Sequence, residues 1–303
     1  EMTSLTAEML PSATEILEPS PGAILRRRVF GDWGVMIGGG VLLAIILMAI
    51  FAPLIAPHDP LDQDLYRKYI PPIWHDKGNW EFLLGTDRLG RDFLSRLIYG
   101  AQISLLIGFS AMLISGVIGT ALGVAAGYFG GRVDMVITFL ITCRLAMPVI
   151  LVALAVVAIV GSSLNVVIIV LGLLIWDRFA VVMRSSTQQI RNLDYIAAAE
   201  ASGCSTMRIL LSEIMPNILN NLIVVATLEV AHAVLLEAAL SFLGLGVQPP
   251  DPSWGLMISE GKGEMLFKSW MIVLPGGALF AMVLAVNMLG DGIRDVTAPE
   301  NRN

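Results

Sequence analysis

Two cysteines and three histidines in 303 residues leave little material for disulfide or metal chemistry. Cys143 lies in an apolar run and Cys204 in a polar stretch, so both are expected to be free, inert thiols. His58, His75 and His232 lack the spacing of a metal-ligand set. Charge is the second scarcity, at 15% of residues against roughly a quarter in soluble domains. What charge there is sums to −6, with a pI near 5.1, which excludes nucleic acid as a partner because phosphate binding needs a basic patch. Catalytic signatures are missing too: there is no His-Glu-x-x-His and no Gly-x-Ser-x-Gly. Gly261-Lys262 comes nearest to a phosphate-binding loop, but Leu256 stands where its first Gly belongs and Gly263 follows the Lys. The chain itself is therefore not expected to hydrolyse ATP or to hold a cofactor.

What is abundant is apolar residue, 56% of the chain, with a mean hydropathy of +0.76. That balance belongs to an all-α polytopic membrane protein embedded in a lipid bilayer. Trp33 to Pro57 carries no charge and exceeds the ~20 residues that a crossing needs, which makes it span one. Arg26-Arg27-Arg28 just before it favours a cytoplasmic N-terminal tail over residues 1–32, the first 25 of them loose. No cleavable leader is expected, since the first apolar stretch begins too late and runs too long.

Residues 58–100 form a polar, Pro- and Trp-bearing extracytoplasmic loop. Near its end Phe93, Leu94, Leu97 and Ile98 share a helical face opposite Asp92, Ser95 and Arg96, the pattern of a helix lying in the membrane interface. Residues 97–131 are uncharged and supply span two. There Ser115, Gly119, Gly123 and Gly127 recur every fourth residue, a bare stripe that lets another helix approach closely. Span three is expected over about 135–160, with Arg144 and Pro148 inside it, and span four over about 164–183. Asp177-Arg178 reads as a neutralising pair toward the end of span four. A polar stretch at 184–213 separates span four from span five at about 214–245, and span six covers 269–290 after a short polar loop at 251–268. These five spans make a core over 101–295, followed by a tail at 296–303. Arg and Lys divide almost evenly between the two sides, so orientation rests on the Arg triplet.

Within 184–213 the run Asp194-Tyr195-Ile196-Ala197-Ala198-Ala199-Glu200-Ala201 favours helix, Gly203 breaks it, and Pro216 suits the first turn of the next helix. The expected shape is helix, bend, helix, standing in water beside the membrane. Charges inside spans are costly and each needs a reason. Arg144 is ten residues past Asp134, about 15 Å along a helix and so near the bilayer middle. It either faces a hydrated path or forms a structural ion pair, for which a span-five glutamate is available. Glu229, His232 and Glu237 fit one wide face of span five, either as polar lining or as hydrogen-bonding groups between subunits.

Ala197-Ala198-Ala199, Gly203 and Pro216 resemble the cytoplasmic signature of permease subunits of binding-protein-dependent, ATP-driven ABC importers. The family's Glu, Ile and Leu are replaced here by Ala197, Glu213 and Met215. Three further blocks resemble the dipeptide and oligopeptide branch: Gly85-Thr86-Asp87 through Ser95-Arg96, Ser241-Phe242-Leu243-Gly244 through Trp254-Gly255, and Asn287 through Arg294-Asp295. The resemblance implies a six-span type I permease fold in the bacterial cytoplasmic (inner) membrane, with both termini cytoplasmic. It implies a second homologous permease subunit, two ATPase subunits binding ATP and Mg, and an extracytoplasmic substrate-binding protein. Tyr195, Ala198, Ala199, Gly203, Met207 and Pro216 would then belong to the ATPase-coupling helix, and Arg144, Glu229, His232 and Glu237 would border the path. Related permeases move nickel chelates, glutathione or other small solutes, so these stand as alternatives. A stand-alone secondary transporter would use the intramembrane charges as an ion relay, but no inverted repeat of broken spans is visible.

Overall fold

The computed structural model describes residues 21–297. Most of the expected N-terminal tail, 1–20, and the last six residues of the C-terminal tail lie outside the described residues. Its α-helices are α1 Pro21–Gly31, α2 Trp33–Ile50, α3 Ala52–Ile55, α4 Phe93–Phe129, α5 Gly131–Leu145, α6 Val149–Val160 and α7 Leu164–Leu174. They continue with α8 Asp177–Arg191, α9 Asp194–Ala201, α10 Thr206–Arg208, α11 Met215–Phe242, α12 Trp254–Gly261 and α13 Trp270–Thr297. Among the described residues the one extended pairing is an isolated bridge between Thr86 and Asp92.

Five crossings are long and apolar enough by themselves: Trp33–Ile50, Phe93–Phe129, Leu164–Arg191, Thr206–Phe242 and Trp270–Thr297. The sixth is α5 with α6, expected as one span over about 135–160, which bends by 83° between Leu145 and Val149. Pro148 is the reason: it has no N–H to donate and forces Met147 out of helical geometry. Counting the pair as one span gives six.

Several boundaries differ from expectation. The interface-lying helix is not a separate element, because Asp92 caps a continuous 37-residue helix whose first turn is Phe93. Asp92, Ser95 and Arg96 are buried rather than solvated, since the loop from 58 to 92 and α12 fold over them. The polar connection between spans four and five is shorter than 184–213: α8 runs on to Arg191, and the span-five rod starts at Thr206. The segment 251–268 holds a packed helix, with Trp254 fully buried against Gly100 and its Nε1 donating to Leu97 O at 2.8 Å. Helix α1 begins at Pro21, inside the stretch expected to be loose, with Pro at the first helical position where its missing N–H costs nothing.

Helix α4 is the axle of the bundle. Its Gly119, Gly123 and Gly127 stripe lies directly on α8: a Cβ on Gly119 would sit 2.3 Å from Trp176 O, and one on Gly123 2.6 Å from Ala180 O. The stripe is the packing seam its spacing suggests, with the α8 backbone as its partner. Gly38 does the same between α2 and α13, where an added Cβ would come within 2.6 Å of Ala285 O.

The end of the bundle formed by residues 58–92 and α12, here the loop end, is closed by a buried charge network. Asp87 accepts from Leu89 N at 2.8 Å, Arg91 N at 3.0 Å, Arg91 Nε at 2.7 Å and Arg96 Nη1 at 2.5 Å. Arg96 Nη1 also lies 2.6 Å from Glu260 Oε2, and Arg91 Nη2 lies 3.1 Å from Glu260 Oε1. Two acids and two guanidiniums thus neutralise one another out of water, tying the first turn of α4 to α12.

Candidate functional site

At the opposite end the chain builds an elbow. Helix α9 ends in a two-bond reversal: Gly203 N donates to Glu200 O at 2.9 Å and Cys204 N to Ala199 O at 3.1 Å. That closure requires a left-handed residue after the helix, and Gly203 supplies it at φ +76°. A Cβ at Gly203 would meet nothing within 4 Å, so glycine is there for its backbone and not for internal space. Ser205 then caps α10 through Arg208 N, and a π-helical stretch at Ile209–Ile214 carries the chain into α11 with Pro216 in its first turn. From Thr206 to Phe242 this is one rod of 37 residues.

The elbow is held from one side only. Ile196 is buried with Val124 and Tyr128 of α4, Met183 of α8, and Ile209, Ile214 and Ile218 of the rod. Ala199 and Cys204 pack at the edge of that cluster. Two polar ties reinforce it: Tyr128 Oη donates to Glu200 Oε1 at 3.1 Å, and Asn217 Nδ2 donates to Tyr195 Oη at 3.3 Å. Tyr195, Ala198, Gly203 and Met207 are exposed, Met207 at 63%. Burying one isoleucine while leaving Tyr195, Ala197, Ala198 and Ala201 in the open beside Asp194 gives α9 as a helix docked by its inner face, with its outer face unoccupied.

The charged path candidates named from sequence, with Asp177 and Arg178, fall into three separate groups, apart from the Arg184–Asp134 ion pair that ties α8 to α5. Arg144 caps helix ends, donating from Nε to Leu174 O at 2.5 Å and from Nη1 to Met147 O at 3.3 Å, with Asp177 Oδ1 3.8 Å from Nη2. Its carboxylate neighbour is therefore on α8 and not on span five. Asp177 and Arg178 are not a mutual pair, because Arg178 Nη1 turns to Glu229 Oε1 at 3.2 Å. Glu229 Oε2 lies 3.1 Å from His232 Nδ1, which makes a chain of three polar groups across α8 and α11. Glu237 stands apart, fully buried, accepting from Ser241 Oγ at 2.7 Å and Ser253 Oγ at 2.9 Å. The structure thus joins Glu229 to His232 and leaves Arg144 and Glu237 in places of their own.

Below the Arg178–Glu229–His232 chain the same two helices are stitched again, Asn221 Nδ2 donating to Ser186 Oγ at 2.8 Å. The exposed residues of α8 include Arg178, Ser185 and Gln189 beside Val181, and those of α11 include Asn217, Asn220 and Asn221 beside Leu219, Ile223 and Leu228. Polar groups therefore line a seam inside segments long enough to span. Sequence alone pairs Arg178 with its neighbour Asp177, and the fold pairs it with Glu229 instead. The usable signal was the seven- and eleven-residue spacing to Ser185 and Gln189.

A six-crossing helical bundle with a one-sided helical elbow and an internal polar seam defines a membrane subunit of a transporter. The chain belongs to the family of binding-protein-dependent transport system inner membrane components, which residues 119–303 match. Residues 20–72 match the N-terminal transmembrane domain of oligopeptide transport permease C. The chain is 42% identical over 269 residues to the di/tripeptide transport system permease protein DppC of Pseudomonas aeruginosa, covering 88% of each chain. It is 39% identical over 267 residues to the dipeptide transport system permease protein DppC of Haemophilus influenzae, covering 88% of this chain and 90% of that one. A glutathione transport system permease protein, GsiD of Pectobacterium atrosepticum, is 35% identical over 275 residues, covering 90% and 89%. Among solved structures, the MetNI methionine ABC transporter in an inward-facing conformation matches with a TM-score of 0.55 at 19% identity, over 67% of this chain and 97% of that one. That likeness establishes the type I permease fold.

Proposed function

We propose that this permease subunit passes di- or oligopeptides through the bacterial cytoplasmic membrane, sharing a path with a second homologous permease subunit. Two ATPase subunits holding ATP and Mg would grip the elbow, and an extracytoplasmic binding protein would deliver cargo at the loop end. Both termini and the elbow then lie in the cytoplasm. The observation that carries the coupling role is the one-sided mounting of α9, whose apolar outer face needs a partner while its inner face is fixed by Ile196. Closure of the ATPase pair on ATP would carry the outer face with it. Because α10, the π-helical stretch and α11 form a single rod, a displacement at Met207 reaches Glu229, about 33 Å away, without crossing a loop. Tyr195, Ala198, Ala199, Gly203, Met207 and Pro216 belong to this lever. Glu229 and His232 border the path, while Arg144 and Glu237 hold helix ends around it.

A ligand or partner shifts such an equilibrium only by binding its two states unequally, so coupling shows as a change in ATP consumed per cargo moved. The experiment is co-purification from mild detergent followed by reconstitution. ATPase chains should co-purify, and peptide uptake should depend on ATP and on the binding protein. Uptake driven by a proton gradient with this chain alone would overturn the assignment. The glutathione permease relative supports a second reading, with a γ-linked tripeptide as cargo, and competition between glutathione and dialanine separates the two.

A further inference from the structure

Arg178 is the group whose surroundings ask for a ligand. It lies on the 28-residue helical crossing Leu164–Arg191, six residues before Arg184, where the helix turns polar, so it stands inside the span toward the elbow end. Its side chain is nevertheless 56% exposed, while that of its partner Glu229 is 1% exposed. Both Glu229 oxygens are occupied, one by Arg178 and one by His232, so the acid is an anchor and not a free anion. The neighbouring Asp177 faces Arg144 instead. The pair is neutral in sum but lopsided, its anion buried and its cation open.

A guanidinium carries five N–H donors in a planar fork that matches a carboxylate. The described pairing uses Nη1, which leaves Nε and Nη2 without a described partner. An open charge at this depth is tolerated where water or a polar partner meets it, not against acyl chains. The exposed neighbours beside the pair, Val181 and Leu228, are apolar, and the surface turns polar toward the elbow, where Ser185 and Gln189 continue the exposed side of α8, and Asn217 and Asn220 that of α11.

We propose that Arg178, clamped by Glu229 and His232, is a carboxylate-binding rung in the elbow-side half of the translocation path that takes the carboxylate of passing cargo. This rests on the peptide-importer reading above. The test uses the assembled transporter in proteoliposomes with saturating binding protein, and dialanine and its C-terminal amide as probes. If the unaltered transporter carries neither probe, the peptide reading falls and this proposal with it. If it carries dialanine, Arg178→Gln should slow dialanine uptake about tenfold while amide uptake changes less than about twofold, as loss of a charge-assisted contact requires. Arg178→Lys should recover part of the dialanine rate, because a cation returns without the fork. Equal losses for both probes, or no loss, overturn the proposal. A second readout uses Arg178→Cys in a background without Cys143 and Cys204. A negatively charged thiol reagent should modify it in the assembled complex, and dialanine should slow that reaction. Failure to react in every nucleotide state would mean that the second permease subunit covers the position, and would overturn the proposal.

Discussion

The two ends of this bundle solve opposite problems. At the loop end Asp87, Arg91, Arg96 and Glu260 are all nearly inaccessible to water, and each cation has two anionic neighbours. At the elbow end α9 buries a single isoleucine, two tyrosine hydroxyls tie it down, and its remaining side chains are open or half-open. A closed charge network resists displacement, because moving any member strands another in a low-dielectric site. A hydrophobic peg with a free outer face can be pulled. Under the proposed coupling the first end is the frame and the second the handle, and the 37-residue rod of α10 to α11 would carry motion away from the handle.

The comparison is broken most severely at the frame. Asp87→Ala leaves the two guanidiniums facing one carboxylate, and an uncompensated buried charge costs about 3–5 kcal/mol. The expected outcome is loss of folded protein in detergent, read by thermal unfolding; a Tm equal to that of the parent would mean the network is not what closes this end. Next comes the peg. Ile196→Ala removes buried carbon from the α4, α8 and α11 junction and should cost about 2–4 kcal/mol locally. Here the bundle should stay folded and ATP hydrolysis should continue, while cargo moved per ATP falls. Hydrolysis and transport falling together would assign Ile196 to the fold alone.

Gly203→Val sharpens the contrast further. No atom crowds the new side chain, so the cost is the left-handed backbone by itself, about 1–2 kcal/mol. Helix α9 should lose its terminal closure and coupling should weaken, with Gly203→Asn milder because Asn tolerates this conformation. Equal coupling in both variants would argue against a role for the turn. The smallest effect is at the loop end, outside the spans. The Lys268 ammonium, 2.5 Å from Glu264, holds that carboxyl below its ordinary pKa, helped by the Tyr69 hydroxyl and opposed by desolvation. A depressed carboxyl stabilises the fold above its unfolded pKa and loses that contribution as pH falls through the folded value. Lys268→Met should therefore flatten a shallow acid-side slope of Tm against pH, and leave it unchanged near neutrality.

Much of this was legible in the residues. Apolar runs marked where the six crossings lie, with some ends displaced by seven or eight residues, since an α-helix in hydrocarbon satisfies its own backbone and needs only length. The Gly119–Gly127 stripe announced a close helix contact, and Gly203 with Pro216 announced a bend and a restart. The 83° bend was not read from Pro148, because a proline inside a span can kink a helix slightly or end it, and neighbours decide which. The charges were misread for a related reason. Asp177 and Arg178 are adjacent in sequence, yet successive residues on a helix point about 100° apart, so each found a partner on a different element.

The order of apolar runs and breakers settled, without coordinates, that this chain crosses a membrane several times and carries a helical elbow between its fourth and fifth crossings. Tertiary structure alone decided that Arg144 caps a helix, that Glu237 is sealed with two serines, and that Arg178 stands open beside a buried glutamate. The reason is physical. Hydrophobic transfer is summed residue by residue along the chain, whereas the cost of a charge depends on which groups lie within a few ångströms, and folding chooses those.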